Sequence, residues 1–351
     1  MRPTKHVPSH AGRSKRRGWP ALAALALCAG ACGAAQTTEP AFQDIVVSAR
    51  PITLAAGDPS VDEVGRLAWR GTLVLEASHR RFGGLSGLRV SADGKSAVAI
   101  TDRGSFLTFD LDYGDDGRLA GVHGARIGPM LDEKGNLLTD EDVDSEGLEV
   151  LADDRLAVSF EHRHRIAVYP PLIGEPAPAL ATFAPPSALG AMADNQGMEA
   201  LVRVDEGSLL ALVEHAPGEG PHRGALVAIS ALDDAAHALP GKTVTLQAAP
   251  RFDITDAALG PDGMLYVLER SFDPMRGPGM RLRRVSKQER EGGSAWTGET
   301  LAELDTRYAI DNMEGLSARL GPSGETLLYV VSDDNFNLLQ RTMLMLFAVR
   351  E

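Results

Sequence analysis

Five acid-bearing segments recur along this chain with a regularity that suggests one shared site. Ser86-Gly87-Leu88 leads to Thr101-Asp102-Arg103-Gly104, Asp144-Ser145-Glu146-Gly147-Leu148 leads to Ser159-Phe160-Glu161-His162-Arg163, and Glu199-Ala200-Leu201 leads to Val213-Glu214-His215. Asp256-Ala257-Ala258-Leu259 leads to Leu268-Glu269-Arg270, and Glu314-Gly315-Leu316 leads to Ser332-Asp333-Asp334-Asn335. From first to second member the steps are 16, 15, 15, 13 and 19 residues. Carboxylates brought together in this way offer the hard oxygen ligands that calcium prefers. The candidate ligands for one or two Ca²⁺ ions are therefore Asp102, Glu146, Glu161, Glu199, Glu214, Asp256, Glu269, Glu314 and Asp333.

Basic side chains stand beside the second members. Arg103, Arg163 and Arg270 are candidates for holding an anionic oxygen of a substrate. His215 and His162 are candidates for proton transfer, because an imidazole titrates near neutrality. A cation with such neighbours would polarise a phosphoryl or carbonyl oxygen toward attack by water. A plainer alternative is that each acid pairs with an arginine or with backbone amides of the next repeat and only ties the structure together. Other chemistries find little footing. Gly83-Gly84-Leu85-Ser86-Gly87 looks superficially like a nucleophile elbow, but the other copies carry an acid at the serine and no strand-to-helix context follows. No phosphate-binding loop or dinucleotide fingerprint is present.

The elements that must position these residues are strands. Apolar stretches at 96–100, 156–159, 208–213, 264–268 and 326–331 have strand length, and Gly/Pro/Asp turns at 92–95, 152–155, 261–263 and 322–324 punctuate them. First members are separated by 60, 53, 57 and 58 residues, about one four-stranded blade each. The fold expected is all-β: a single-domain, six-bladed β-propeller over 45–351. Five blades are visible, and residues 45–80 with the last strand are expected to supply a sixth blade or a closing strand. A two-sheet sandwich is the runner-up, but it gives no reason for evenly spaced acid pairs. In a propeller the innermost strands share one axis, so each recurring position becomes a ring around it. Glu146 and Glu161 are thus expected to point inward, whereas Glu149, outside the pattern, is expected not to. The segments 172–194 and 272–296, with the weakest strand signal, are expected to be loops over one face.

Composition bounds the setting. Residues 2–17 carry six Lys or Arg and no acid, and the eleven-residue apolar run 21–31 is too short to span a membrane. Residues 1–31 therefore read as a signal peptide and 32–44 as a flexible tether. Ala29-Gly30-Ala31-Cys32 looks like a lipoprotein cleavage box, so the expected address is periplasmic or outer-membrane, through a lipid on Cys32; an ordinary secreted protein is the alternative. Both cysteines fall in or at the edge of this leader, which leaves the domain no disulfide and no thiolate metal site. Removing the leader takes 6 of 35 positive charges and leaves 29 against 48 acids, a net charge of −19, which disfavours a nucleic-acid partner. The partner expected is a small anionic or ester substrate, and the protein is expected to be a monomer.

Taken as an ordered set, these pieces resemble the phytase-like family of exported proteins, described as having the esterase-like activity of phytase. The matching pieces are G-G-L-S-G-L with T-D-R-G, D-S-E-G-L with S-F-E-H-R-H-R-I, N-Q-G-M-E-A-L with L-V-E-H, L-E-R-S-F, and N-M-E-G-L with V-S-D-D-N-F-N-L-L-Q-R-T. They run from Gly83 to Thr342. The resemblance implies a propeller and a hydrolase. The fourth repeat departs from the family's E-G-L form, with Asp256-Ala257-Ala258 in its place. The function expected is a calcium-dependent phosphoesterase or esterase. The alternatives are a non-catalytic propeller anchored at the envelope, and a propeller in which calcium is purely structural.

Overall fold

Most strands of this chain are apolar on both faces, and the architecture explains why. A computed structural model describes residues 41–215, 220–234 and 239–351. The predicted leader, Cys32 and the first part of the predicted tether lie outside the described residues. Five antiparallel sheets, or blades, are present among the described residues. Their innermost strands are Leu85–Val90, Ser145–Val150, Met198–Arg203, Asp253–Leu259 and Asn312–Leu320. Each inner strand packs against the next, and the fifth against the first, which closes a ring about one axis.

Because every blade is sandwiched between two others, each of its faces must be buried, and this removes the polar alternation of a half-exposed strand. The strand Thr326–Asp333 shows the result. Leu327, Tyr329 and Val331 join the core shared with the first blade, while Leu328 and Val330 join the core shared with the fourth. Five hydrophobic cores form in this way, one at each interface between blades. Full burial of one such Leu or Val contributes roughly 1.5–3 kcal/mol.

The expectation of six blades is corrected to five. The N-terminal strand Leu67–Glu76 pairs with the C-terminal strand Met343–Val349, Phe347 opposite Trp69, so residues from both ends complete one blade instead of building another. This was the closing-strand alternative, and it leaves no unpaired edge where the ends meet. The strand Ser48–Ile52 lies outside it, and Gln43–Asp44, within the predicted tether, pairs with the outer strand of the first blade. The segment 272–296 is also corrected, since it contains the third strand of blade four, Gly277–Val285, and the helix Lys287–Gly292. Its last residues, Ala295–Trp296, then cross to pair in parallel with the outer strand of blade three. Segment 172–194 is largely irregular, with one three-residue strand, Ala181–Phe183.

One side chain ties the inner strands together. Arg89 donates to the carbonyls of Leu88 (2.6 Å), Leu201 (2.7 Å), Ala257 (3.1 Å) and Leu316 (2.7 Å), hence to blades one, three, four and five. It bonds the fully buried Asp256 at 3.0 Å, and its Nε lies 3.3 Å from Glu149 of blade two. Glu149 therefore faces the axis, contrary to expectation, because a buried guanidinium there needs more than one anion and carbonyl to replace its lost water. Asp256 also accepts from the amides of Ala257 (2.7 Å) and Leu316 (2.8 Å). Replacing Arg89 with Met leaves Asp256 as an unpaired buried charge, and the expected loss of unfolding free energy in denaturant titration is about 3–5 kcal/mol. The double variant Arg89→Met/Asp256→Asn is expected to be clearly less destabilised than the sum of its parts; strict additivity would show that the pair is not coupled.

Candidate functional site

Every inner strand carries a register irregularity near its start. Opposite their neighbours, Met198 and Ala200 face Val213 and Leu212, which leaves Glu199 as the extra residue; Met313 and Gly315 face Ser332 and Val331, which leaves Glu314. The first two blades skip the same stretch, around Ser86-Gly87 and Glu146-Gly147. A bulge re-aims the side chain of its extra residue, and here four of the five lie against one cavity at the end of the axis. The small residue that follows has a reason of its own. A Cβ on Gly147 would come within 2.8 Å of the Glu199 carbonyl, and one on Gly315 within 3.1 Å of the Gly87 backbone, so neighbouring inner strands touch there.

The fourth blade corrects the sequence register. Ile254 and Asp256 face Glu269 and Leu268, so the extra residue is Thr255, and Asp256 stands at the small-residue position. On the second strand, the place held by Asp102, Glu161, Glu214 and Asp333 falls to Arg270, which pairs with Asp253. Asp256 and Glu269, both expected as metal ligands, are thus not in the cluster. Asp256 bonds Arg89, and Glu269 is fully buried among the arginines of its own blade, Arg281 at 2.6 Å and Arg283 at 2.6 Å. Thr255 instead donates to the Met313 carbonyl (3.0 Å).

The cavity measures about 360 Å³ and is walled by eight carboxylates: Asp102, Asp144, Glu146, Glu161, Glu199, Glu214, Glu314 and Asp333. Seven of these were expected, and Ser86 of the serine-bearing repeat stands with them. Oxygen atoms of Glu161, Glu199 and Glu214 lie within 4.8 Å of one another, as do ligand atoms of Asp144, Glu161 and His162 and of Glu214, His215 and Asp253. One guanidinium answers them directly: Arg270 reaches Glu214 (2.9 Å), Glu314 (3.1 Å) and the side-chain Oδ1 of Asn312 (2.7 Å). The Asn312 amide donates to Glu314 (2.7 Å) and Asp333 (3.3 Å), and the Gly197 amide donates to Glu161 (2.9 Å).

This crowding raises carboxyl pKa values. Burial, then the charges of Asp144 and Glu214, push Glu161 up to about 7. Burial pushes Glu314 up to about 8 even with Arg270 opposing it, and Asp333 up to about 6. Glu146, Glu199 and Asp102 rise well above the carboxylate range, from burial first and from neighbouring carboxylates second. Glu214 is the exception in the cluster. Burial works against its charge, but the His215 ring and Arg270 more than offset this and hold it below its usual value. The adjacent Glu214 carboxylate in turn raises His215.

The basic residues divide. Arg270 and His215 line the cavity; the His215 ring stands 2.7 Å from Glu214 and 3.6 Å from Asp253. His162 sits behind the wall, 3.2 Å from Asp144. Arg103 and Arg163 are not among the lining residues. Arg103 stacks 3.3 Å over the Phe336 ring, and Arg163 turns outward to Asp142 at 2.9 Å. Asp144, Asn195, Asn312 and Asn335 line the cavity without having been expected. Two of them had a signal: Asp144 and Asn312 both stand two residues before the recurring acid, where Asp253 stands before Thr255. Gly83 and Gly84, both at positive φ (114° and 59°), admit the last blade's loop; a Cβ on Gly83 would meet Asp334 at 2.7 Å and one on Gly84 would meet Phe336 at 2.6 Å.

Among solved structures the chain is similar to a gluconolactonase from Xanthomonas campestris, at 14% identity over 88% of this chain and 97% of that one, with a TM-score of 0.40. It is also similar to the virginiamycin B lyase from Staphylococcus aureus, at 7% identity over 87% and 100%, with a TM-score of 0.37. A search of curated protein sequences finds no match. The family model for phytase-like proteins, described as "esterase-like activity of phytase", matches residues 80–336, well over half the chain and the stretch that builds the axial cavity. The chain belongs to the phytase-like family.

Proposed function

We propose that this protein is a hydrolase of ester bonds, in a phosphoric monoester or a carboxylic ester, working with Ca²⁺ held by the axial carboxylates. The observation that carries this reading is the convergence of Glu161, Glu199 and Glu214 oxygens within 4.8 Å, inside a wall of eight carboxylates. Their chemistry fits the ion, since all are hard oxygen donors and no thiolate is present. A bound Ca²⁺ would supply Lewis-acid polarisation of an ester oxygen.

The chain's own groups have definable parts. Arg270 now divides its charge between Glu214 and Glu314; once a cation neutralises those carboxylates, the guanidinium can turn its donors to an anionic substrate oxygen. His215, with a partly exposed ring at the rim, is placed to pass a proton between cavity and solvent, and Glu214 and Asp253 fix its orientation. Glu161, with a pKa of about 7, is a second group able to take a proton near neutrality. The leader supports an exported protein tethered through Cys32.

A non-catalytic role in binding a partner also has one observation in its favour. Phe272, at the end of the second strand of blade four, and Met275, Leu338 and Leu339, on the second-to-third-strand loops of blades four and five, are largely exposed at the end of the axis where the cavity opens.

Glu161, Glu314 and Asp333 have folded-state pKa values above the ordinary carboxylate range of about 4. Groups shifted in this direction stabilise the fold when protonated and lose that contribution as pH rises through the folded value. In chelator, the melting temperature is therefore expected to fall between about pH 5 and pH 8, and millimolar Ca²⁺ is expected to restore it; a flat chelated profile would remove the cation argument. Hydrolysis of p-nitrophenyl phosphate and p-nitrophenyl acetate is the test of catalysis. With Ca²⁺ at least one ester should turn over above background, and chelator, Glu146→Gln or Glu214→Gln should each lower the rate at least about tenfold. Background rates in every sample would sink the hydrolase reading, and a calcium-dependent melting temperature alongside them would leave a structural ion.

A further inference from the structure

The axis has a second mouth. The inner strands begin at the carboxylate cavity and end around another, of about 900 Å³, walled by Arg89–Ala92, Glu149–Ala152, Arg203, Ala258–Pro261 and Ser317–Leu320. Its floor is the Arg89–Asp256 knot, which separates the two ends. The volume is that of a small-molecule site. Its wall is apolar over much of its extent, through Val98, Phe109, Val150, Leu172, Leu259 and Leu320, of which Leu320 is 54% exposed.

Its charges differ from those of the first mouth. Glu149 is taken up by Arg89, and Asp110 lies 3.8 Å from His123; Asp154 is exposed in a turn at the rim. Arg319 bonds the Tyr329 hydroxyl (2.8 Å) and the Leu320 carbonyl (2.9 Å), neither of which neutralises it. Arg203, half-buried at the end of its strand, has no carboxylate within 4.0 Å among the described residues. A half-buried guanidinium without an anion, beside an apolar wall, in a chain carrying 48 acids, is a place where an outside anion gains both charge and apolar contact.

We propose that this second mouth binds an amphipathic organic anion, its apolar body against Val98 and Leu259 and its charged group on Arg203. The site is independent of the carboxylate cavity and of any hydrolysis there. Two fluorescent probes of nearly one scaffold test it: the anionic 8-anilinonaphthalene-1-sulfonate and the neutral N-phenyl-1-naphthylamine. The full chain is expected to bind the anionic probe saturably at one site. Arg203→Gln should weaken that binding by up to about fivefold and leave the neutral probe unchanged, the factor expected for loss of one partly exposed charge contact. Val98→Trp, which fills the cavity, should weaken both, with a melting curve confirming that each variant is folded. Absence of saturable binding, equal loss of both probes in Arg203→Gln, or unchanged binding in either folded variant overturns the proposal.

Discussion

Arg89 stands where all five blades meet, and the rest of the molecule is arranged around the problem it solves. A propeller brings equivalent backbone positions of every blade to one axis, and at the level of Leu88, Leu201, Ala257 and Leu316 this gathers carbonyl oxygens that cannot bond to one another. A single guanidinium, with five donors in a fixed fork, satisfies four of them and two carboxylates at once. Further along the axis the same geometry gathers carboxylates, and there, among the described residues, Arg270 is the one guanidinium that bridges them. Two carboxylates 4 Å apart repel by about 4 kcal/mol at an effective dielectric of 20, so this level is stable only with protons or added cations. The two halves of the axis are thus opposite answers to one symmetry: an internal cation closes the first, and the second depends on protons or on cations from solvent.

Much of this was legible in the sequence. The strands at 96–100, 208–213 and 326–331 were recognisable because blades buried on both faces need uninterrupted apolar runs. The recurring acids located the axis, because only positions that meet in space have reason to repeat at blade spacing. The number of blades was not legible. Residues 45–80 have the composition of a further blade, and what makes them outer strands of the last one is pairing between Leu67–Glu76 and Met343–Val349, across nearly the whole chain. Nor was Glu149 legible: its neighbour on the axis, Arg89, comes from a different blade.

The fourth blade shows most clearly where sequence reasoning goes astray. Matching acid to acid placed Asp256 and Glu269 in the rings, 13 residues apart where the first three repeats have 16, 15 and 15. Spacing was the better guide, since Thr255 and Arg270 are 270 − 255 = 15 residues apart and occupy the bulge and strand-end positions. Residue type misled because acids also serve structural ends. Glu269 neutralises Arg281 and Arg283 within its sheet, and Asp256 anchors Arg89. Position in the ladder, fixed by backbone pairing, decides which acids reach the axis, and a one-residue slip sends a side chain to the other face of its strand.

That slip gives the site a direction. Blades two and three contribute Glu146, Glu161, Glu199 and Glu214, while blade four contributes Arg270 to the wall. A ring with an acid at every place would have no preferred side, and its centre would attract any cation equally from all blades. Arg270 bridges Glu214 and Glu314, so the donors of a guanidinium face the cavity from blade four while the other four blades present acids to it. In the proposed function a cation would therefore sit among the carboxylates and an anionic oxygen against Arg270, a difference set by one residue in one blade. The departure of the fourth repeat from the pattern of the others is what turns a symmetric collection of carboxylates into a polar site.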